Sequence, residues 1–237
     1  MASSSMCVTT LSGGEASALP PDSGVAKGAG AASGWVIMAS VAVVCATDAD
    51  LSAGADFSVD LKMPPHITPL KISPRLFPTA TVSHHFPEVL AADASGLLLL
   101  HADQGPAAGP IFVDLPGRSE AKPSAFLPGY FVLDANNSTS FSIPNAENFM
   151  DSDKVGLIPS PDGGPYVVAE LQHAIGRSEV TILEYKSVDG TWAEHTFDNP
   201  VRDRRLAPHG SFPHNGSIWW VDLSVGLIGW DRLTTMY

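Results

Sequence analysis

The sequence predicts an all-β protein built as an incomplete, propeller-like array of antiparallel hairpins. Glycine and proline, 21 and 20 of the 237 residues, are frequent enough to separate many short strands. Short apolar runs bounded by turn residues recur along the chain, and no helical periodicity matches them in strength. The two clearest strands that open a unit begin at Tyr166 and Ile218, about fifty residues apart, which is typical of kelch-sized blades.

The stretch from His214 to Asp231 shows this pattern most clearly. Asn215-Gly216 is a tight-turn dipeptide, because both residue types tolerate positive φ. Residues 218–223 then alternate two mostly apolar faces, which predicts a strand covered on both sides, and residues 226–230 return as its partner. A lone hairpin is marginal in water, so this unit needs neighbouring units.

The tryptophans of this stretch give specific expectations about burial. We expect Trp219 and Trp220 to be largely buried on opposite faces of one strand. A propeller needs ~4–8 blades, and the chain provides three convincing units plus the region around Trp35. The last strand should therefore lie at an open edge, with Ile228 and Trp230 less buried than such residues usually are.

Two similar units precede this one. The first has a turn at residues 93–96 and strands at 97–101, 130–133 and 139–143. The second has strands at 155–158, 166–171, 179–185 and 191–197, with a turn at Asp189-Gly190. Their apolar runs predict strands that are buried on both faces.

The N-terminal part divides into a leader and the start of the β domain. Residues 1–33 are rich in serine, alanine and glycine without periodicity, which predicts a disordered leader, and residues 34–237 form the β domain. Residues 35–46 form an apolar run that is too short for a membrane span of ~20 residues and favours a buried strand pair, in which residues 35–44 read as the first strand. Residues 57–62 alternate as a half-buried strand, and the proline-punctuated residues 70–74 suit an edge strand.

Charge and cysteine content exclude several classes of function. The net charge is −12, and the only basic cluster, Arg202, Arg204 and Arg205, is interrupted by Asp203 and predicts a solvated loop. We therefore expect neither a nucleic-acid partner nor a membrane partner. The two cysteines imply no disulfide framework, and no secretion signal precedes the apolar run, so the expected location is cytoplasmic or nuclear.

From Trp35 onward the chain resembles the plant proteins that carry the domain of unknown function 1618, a family expanded in grasses. The segments that carry the resemblance are WVIMASV, DADLSAGADFSV, ISPRLFP, VLAADASGLLLLHADQGP, YFVLDA, VGLIPSPDGGPYVVAELQ, LEYKSVDGTW and WWVDLSVGLI. The resemblance implies an F-box-associated, kelch-like β protein without an assigned activity. Members continue beyond WWVDLS and this chain ends soon after it, so we expect a C-terminally truncated member. No F-box is present in the sequence.

No group of residues predicts a catalytic, cofactor or metal site. The adjacent His84 and His85 point to opposite sides of an extended chain and chelate one metal poorly. His209 and His214 flank a short turn, but a metal needs a third ligand, such as Asp222 or His195, and nothing places one there.

The remaining candidates favour structural roles. Cys45 sits in an apolar run and predicts an inert core thiol. Asp93, Asp162 and Asp189 precede glycines in turns and predict turn formers. The set Trp192, Trp219, Trp220 and Trp230 could stack a ligand, but packing between units is the expected role.

Three hypotheses about function follow. The first is a non-enzymatic module that binds an unknown protein partner, without a cofactor. The second is a hydrolase-type enzyme, in which His195, His209 or His214 converges with Asp222 in a pocket. The third is a truncated gene product without function. The first agrees best with the repeated hairpins and with the lack of a coherent catalytic set.

Overall fold

The structure, a computed structural model, confirms the all-β prediction. It describes residues 6–9, 36–47, 50–77, 86–102, 110–115, 118–123, 129–146, 152–160, 164–174, 176–204, 206–231 and 235–236. These residues contain no α-helix. A short 3₁₀-helix lies at Ser152–Lys154. The strands are β1 (Met6–Thr9), β2 (Val36–Ala39), β3 (Val43–Val44), β4 (Phe57–Val59), β5 (Ile67–Thr68), β6 (Leu70–Ile72), β7 (Glu88–Ala92), β8 (Leu97–His101), β9 (Pro110–Leu115), β10 (Arg118–Pro123), β11 (Tyr130–Asp134), β12 (Thr139–Ile143), β13 (Val155–Pro159), β14 (Tyr166–Gln172), β15 (Glu179–Lys186), β16 (Thr191–Asp198), β17 (Ser211–His214), β18 (Ser217–Asp222), β19 (Gly226–Asp231) and β20 (Thr235–Met236).

Three four-stranded antiparallel sheets follow one another along the chain. Sheet I has the order β12-β11-β8-β7, sheet II the order β13-β14-β15-β16, and sheet III the order β17-β18-β19-β20. The hairpin of β9 and β10 is inserted between β8 and β11. Upstream of sheet I lie two three-stranded sheets, ordered β1-β2-β5 and β3-β6-β4. The three units expected from the turn-and-strand rhythm are therefore present, and each is one sheet.

Three layers of apolar side chains lie between successive sheets. The first layer joins the N-terminal sheets to sheet I and includes Phe57, Ile72, Leu98, Leu100 and Leu133. The second joins sheet I to sheet II and includes Leu99, Val132, Leu157, Val168 and Tyr185. The third joins sheet II to sheet III and includes Val167, Ile182, Ile218, Trp220 and Trp230. Sheets I and II are thus covered on both faces, which explains why their strands are apolar on both sides.

Two tryptophan indoles and one glycine hold neighbouring sheets close together. Trp220 Nε1 donates to the Lys154 carbonyl at 2.8 Å, and Trp192 Nε1 donates to the Pro144 carbonyl at 2.7 Å. A Cβ at Gly156 would lie 2.6 Å from Ile218 Cγ2, so β13 and β18 approach at a distance that only glycine allows. Trp192, Trp220 and Trp230 therefore pack between sheets, as expected, and do not form a stacking surface.

The predicted turns form as expected. Asn215 and Gly216 both have positive φ, 51° and 77°, which matches the twist of the hairpin between β17 and β18. Gly190, with φ 65°, closes the turn between β15 and β16. The buried Asp93 carboxylate accepts hydrogen bonds from Ser95 N, Ser95 Oγ and Leu97 N at 2.8–3.0 Å. Asp93 is thus a turn former.

Several expectations for the N-terminal part were wrong. Residues 35–44 do not form one strand, because the backbone at 40–42 bonds to the edge of β7 and divides the run into β2 and β3. Residues 70–72 form the middle strand of their sheet and not an edge. Pro74 lies beyond the end of β6, so its missing N–H removes no bond from the sheet. Within the predicted leader, Met6–Thr9 forms β1 and pairs with β2; the rest of residues 1–33 lies outside the described residues.

Two expectations for the last unit were also wrong. Ile228 and Trp230 are only 3% and 2% exposed, because their side chains face sheet II in the third core layer. The strand that carries them is followed by β20, which pairs with its end. Trp219 is only half-buried, and its ring lies over Gly229 on the outer face of sheet III. Phe212 and Leu227 are exposed on this outer face.

Candidate ligand-binding groove

A groove of about 1010 Å³ lies between sheets I and II at the end of the sheets where their hairpin turns gather. We call it the hydroxyl groove, because most of the residues that line it carry a hydroxyl or a carboxamide: Ser95, Asn136, Asn137, Thr139, Ser140, Ser142, Ser160, Tyr166, Tyr185 and Ser187. Phe141 of β12 forms one wall. Its ring is 6.4 Å from the ring of Tyr166, and its side chain is 49% exposed. A large aromatic side chain therefore stands half in solvent beside a polar cleft.

The rim of the groove is held by hydrogen bonds within two turns of sheet I. Asn136 Nδ2 donates to the Ser95 carbonyl at 2.6 Å, which ties the β11–β12 turn to the β7–β8 turn. The Asp134 carboxylate accepts from Asn136 N at 2.9 Å and from Asn137 Nδ2 at 2.6 Å. Asparagine and aspartate favour such turns because their short side chains bond the nearby backbone. The rim is thus preorganised by residues of its own sequence.

The floor of the groove consists of two buried tyrosines of sheet II. Tyr166 and Tyr185 belong to the second core layer, and neither hydroxyl makes a hydrogen bond to a described residue. Burial, and to a smaller extent the neighbouring Tyr185, raises the pKa of Tyr166 to about 12. The Tyr166 phenol therefore keeps its proton at neutral pH and remains available as a hydrogen-bond donor.

The groove is close to electrically neutral. Among the described residues that line it, only Asp134 is charged, and both of its oxygens are bonded within the turn. The hydroxyls of Thr139 and Ser160, which line the groove, form no side-chain hydrogen bond to the described residues. The groove therefore offers hydroxyl donors and acceptors, together with aromatic surface, to an uncharged ligand.

The residues expected for a His/Asp pocket do not all come together. His214 ends β17, whereas His209 lies beside the Asp222 turn, where its Nδ1 accepts from Leu223 N at 3.4 Å and its backbone N donates to the Val221 carbonyl at 2.7 Å. The Asp222 carboxylate accepts from Ser224 Oγ at 2.6 Å, from Ala207 N and Ser224 N at 2.8 Å, and from Val225 N at 3.2 Å. The Ser224 hydroxyl, followed by these backbone amides, lowers the pKa of Asp222 to about 2. Asp222 is a turn former and not a general base.

His195 makes a contact that the sequence did not predict. Its Nε2 lies 2.8 Å from Oε2 of Glu184, which is 2% exposed, and Lys186 Nζ lies 3.3 Å from the same oxygen. Glu184 and His195 come from neighbouring strands, so their sequence separation gave no signal. No candidate nucleophile contacts His195 among the described residues. Lys186 and His195 thus both contact the buried carboxylate of Glu184 in sheet II.

The other sequence candidates are placed as follows. Cys45 is buried, as expected for a core residue. Arg202, Asp203 and Arg204 lie exposed in a turn. His84, His85, Asp162 and Arg205 lie outside the described residues. Among the residues that the structure describes, no three histidine, cysteine, aspartate or glutamate side chains are grouped to hold a metal ion.

In comparisons with protein-family models, curated proteins and solved structures, nothing matches this chain. Within the described ranges, no helix has the length and apolar character that a membrane crossing requires.

Proposed function

We propose that this chain is a non-enzymatic protein-interaction module that binds its partner in the hydroxyl groove. The observation that carries the proposal is the position of Phe141. This aromatic side chain is 49% exposed on the outer strand of sheet I, at the mouth of a neutral groove with a rigid rim. Aromatic anchors in pockets dominate the energy of protein interfaces.

The size and chemistry of the groove favour a segment of a protein over a small molecule. Its volume, about 1010 Å³, is at the upper end of the range for small-molecule pockets, ~300–1,000 Å³. One wall is an edge strand, so the groove continues along the outside of sheet I. The chain's net charge of −12 favours a partner without net negative charge.

The placement of the acidic side chains supports a non-enzymatic role. Asp93 and Asp222 are bonded by turn amides, and Glu184 is bonded to His195 and Lys186. General acid–base chemistry needs a titratable group directed at a substrate. None of these three residues lines the hydroxyl groove.

We also propose a propeller-like arrangement of the sheets. The first strands of sheets I, II and III, β7, β13 and β17, contact one another, as inner strands do around a common axis. Apolar layers between successive sheets support the same arrangement. This architecture would agree with membership of the plant family with domain of unknown function 1618, and with a cytoplasmic or nuclear protein.

Selection of binders from a displayed library of random peptides tests the proposed function. The enriched peptides are measured against the wild type, Phe141→Ser and Phe212→Ser. Phe212, 41% exposed on the outer face of sheet III, is a matched control because it also is an exposed phenylalanine on a strand. We expect Phe141→Ser to weaken binding roughly tenfold or more, the loss typical of an interface anchor, and Phe212→Ser to leave it unchanged. Equal affinity for all three proteins would contradict the proposal.

A further inference from the structure

We infer that the partner contributes an extended segment that pairs with the outer edge of β12 and adds a fifth strand to sheet I. This inference rests on the proposed function and specifies its mode of binding. Strand addition supplies affinity through main-chain hydrogen bonds and specificity through pockets for alternate side chains. The edge of β12 provides the main-chain hydrogen bonds, and the groove beside it provides the pockets.

Among the strands that the structure describes, none pairs with the outer edge of β12. β12 is the outer strand of sheet I, and among the described strands only β11 pairs with it. Its sequence, TSFSI, contains no charged residue, no proline and no glycine. Proteins usually protect such edges with charges, prolines or bulges, because an unpaired row of N–H and C=O groups recruits another strand.

The outer edge of sheet II contrasts with the outer edge of sheet I. β16, the outer strand of sheet II, carries Glu194, His195 and Asp198. β16 thus carries the usual protection, and β12, which borders the groove, does not.

The pairing of β12 with β11 determines which side chains of β12 face the groove. Thr139 and Phe141 pair with Asp134 and Val132 and lie on the face toward sheet II, where the groove is. Ser140 and Ser142 lie on the opposite face. A strand added beside β12 continues the pleat, so every second side chain of the partner would enter the groove beside Phe141 and Tyr166.

The opposite face of β12 determines which side chains fit at the remaining alternate positions of the partner strand. Ser140 Oγ donates to Asp56 Oδ2 at 2.5 Å, and Asp56 is paired with Arg75 at 3.1 Å. Partner side chains over Ser140 would meet this polar, charged surface. The segment that fits is therefore an extended peptide in which apolar or aromatic residues alternate with polar ones.

Backbone N-methylation of a selected peptide tests strand addition. The probe is a library-selected peptide whose binding depends on Phe141, resynthesised with one N-methyl group at each position in turn. Because alternate N–H groups of an added strand face β12, we expect losses of roughly tenfold or more at every second position and small effects between them. As a control, the affinity of each N-methylated peptide for the Phe141→Ser variant is measured in the same way.

The possible outcomes separate the two proposals. Uniform tolerance of N-methylation with retained dependence on Phe141 would overturn strand addition and leave groove binding standing. Enriched peptides that bind Phe141→Ser as tightly as the wild type would overturn the proposed function itself. Phe141-dependent binding of a neutral oligosaccharide, with no peptide enriched, would overturn both in favour of a glycan site.

Discussion

At the scale of single residues, two buried aspartates of this protein stabilise turns. Asp93 and Asp222 are both buried, and both accept hydrogen bonds from the residues that follow them. A carboxylate that accepts several hydrogen bonds is stabilised in its charged form. The lowered pKa of Asp222 is the direct expression of this effect.

The Asp222 turn should therefore be sensitive to acid. The folded-state pKa, about 2, lies below the ordinary value of 3.8, so the ionised group stabilises the fold above pH 4, and this contribution is lost as the pH falls toward 2. Asp222→Asn should lower the free energy of unfolding at neutral pH, because the amide NH₂ would face a backbone N–H. Urea titrations from pH 7 to pH 2 should show the difference between wild type and variant shrinking below pH 4.

Asp189→Asn is the control for this measurement. Asp189 is an exposed turn aspartate, and its side chain forms no hydrogen bond to a described residue. Its substitution should change stability little at any pH. A difference between wild type and Asp222→Asn that stays constant down to pH 2 would contradict the assigned role of the carboxylate.

At the scale of elements, the contact between β13 and β18 depends on Gly156. An alanine Cβ there would lie 2.6 Å from Ile218 Cγ2 and 3.0 Å from Ser211 Oγ, so the sheets would have to separate. We expect Gly156→Ala to destabilise the protein by roughly 1–3 kcal/mol, the range for overpacking a core. Chemical denaturation measures the effect.

A double-mutant cycle identifies the cause of that loss. Ile218→Ala removes the clashing methyl group, so the double variant Gly156→Ala/Ile218→Ala should be less destabilised than the sum of its single variants, with a coupling of about 0.5–3 kcal/mol. Leu99→Ala, in the layer between sheets I and II, should combine additively with Gly156→Ala. Additivity in both pairs would show that the close approach is unimportant.

The same elements show which parts of the fold the sequence predicts. The turns at Asn215-Gly216, Asp93 and Asp189-Gly190 were predictable because their chemistry is local. The two-sided strands were predictable because their apolar runs are continuous. The division of residues 35–44 and the central place of β6 were not, since both depend on partners distant in the sequence.

The candidate groove could not be predicted from the sequence, for the same reason. Phe141, Tyr166 and Tyr185 lie in separate strands, and each alone reads as an ordinary core aromatic. Only the packing of sheet I on sheet II shows that Phe141 is half-exposed and that the tyrosine hydroxyls line a groove. The Glu184–His195 contact, which crosses two strands, was likewise not predictable.

At the scale of the whole molecule, three phenylalanines of the described residues are exposed, and Phe86 lies just before β7. Phe141 stands beside a groove with a rigid rim, and Phe212 lies on the outer face of sheet III. Exposed aromatic residues mark interaction sites when they line a concave, preorganised surface. This distinction is the basis for assigning the partner site to the junction of sheets I and II.

Amide hydrogen exchange with and without a library-selected peptide tests this assignment most directly. The bound peptide should slow exchange in residues 139–143, 164–166 and 185–188, because these residues border the groove and pair with or cover the peptide. Exchange in residues 211–231 of sheet III should stay unchanged. Protection confined to sheet III, or no protection at β12, would contradict the account.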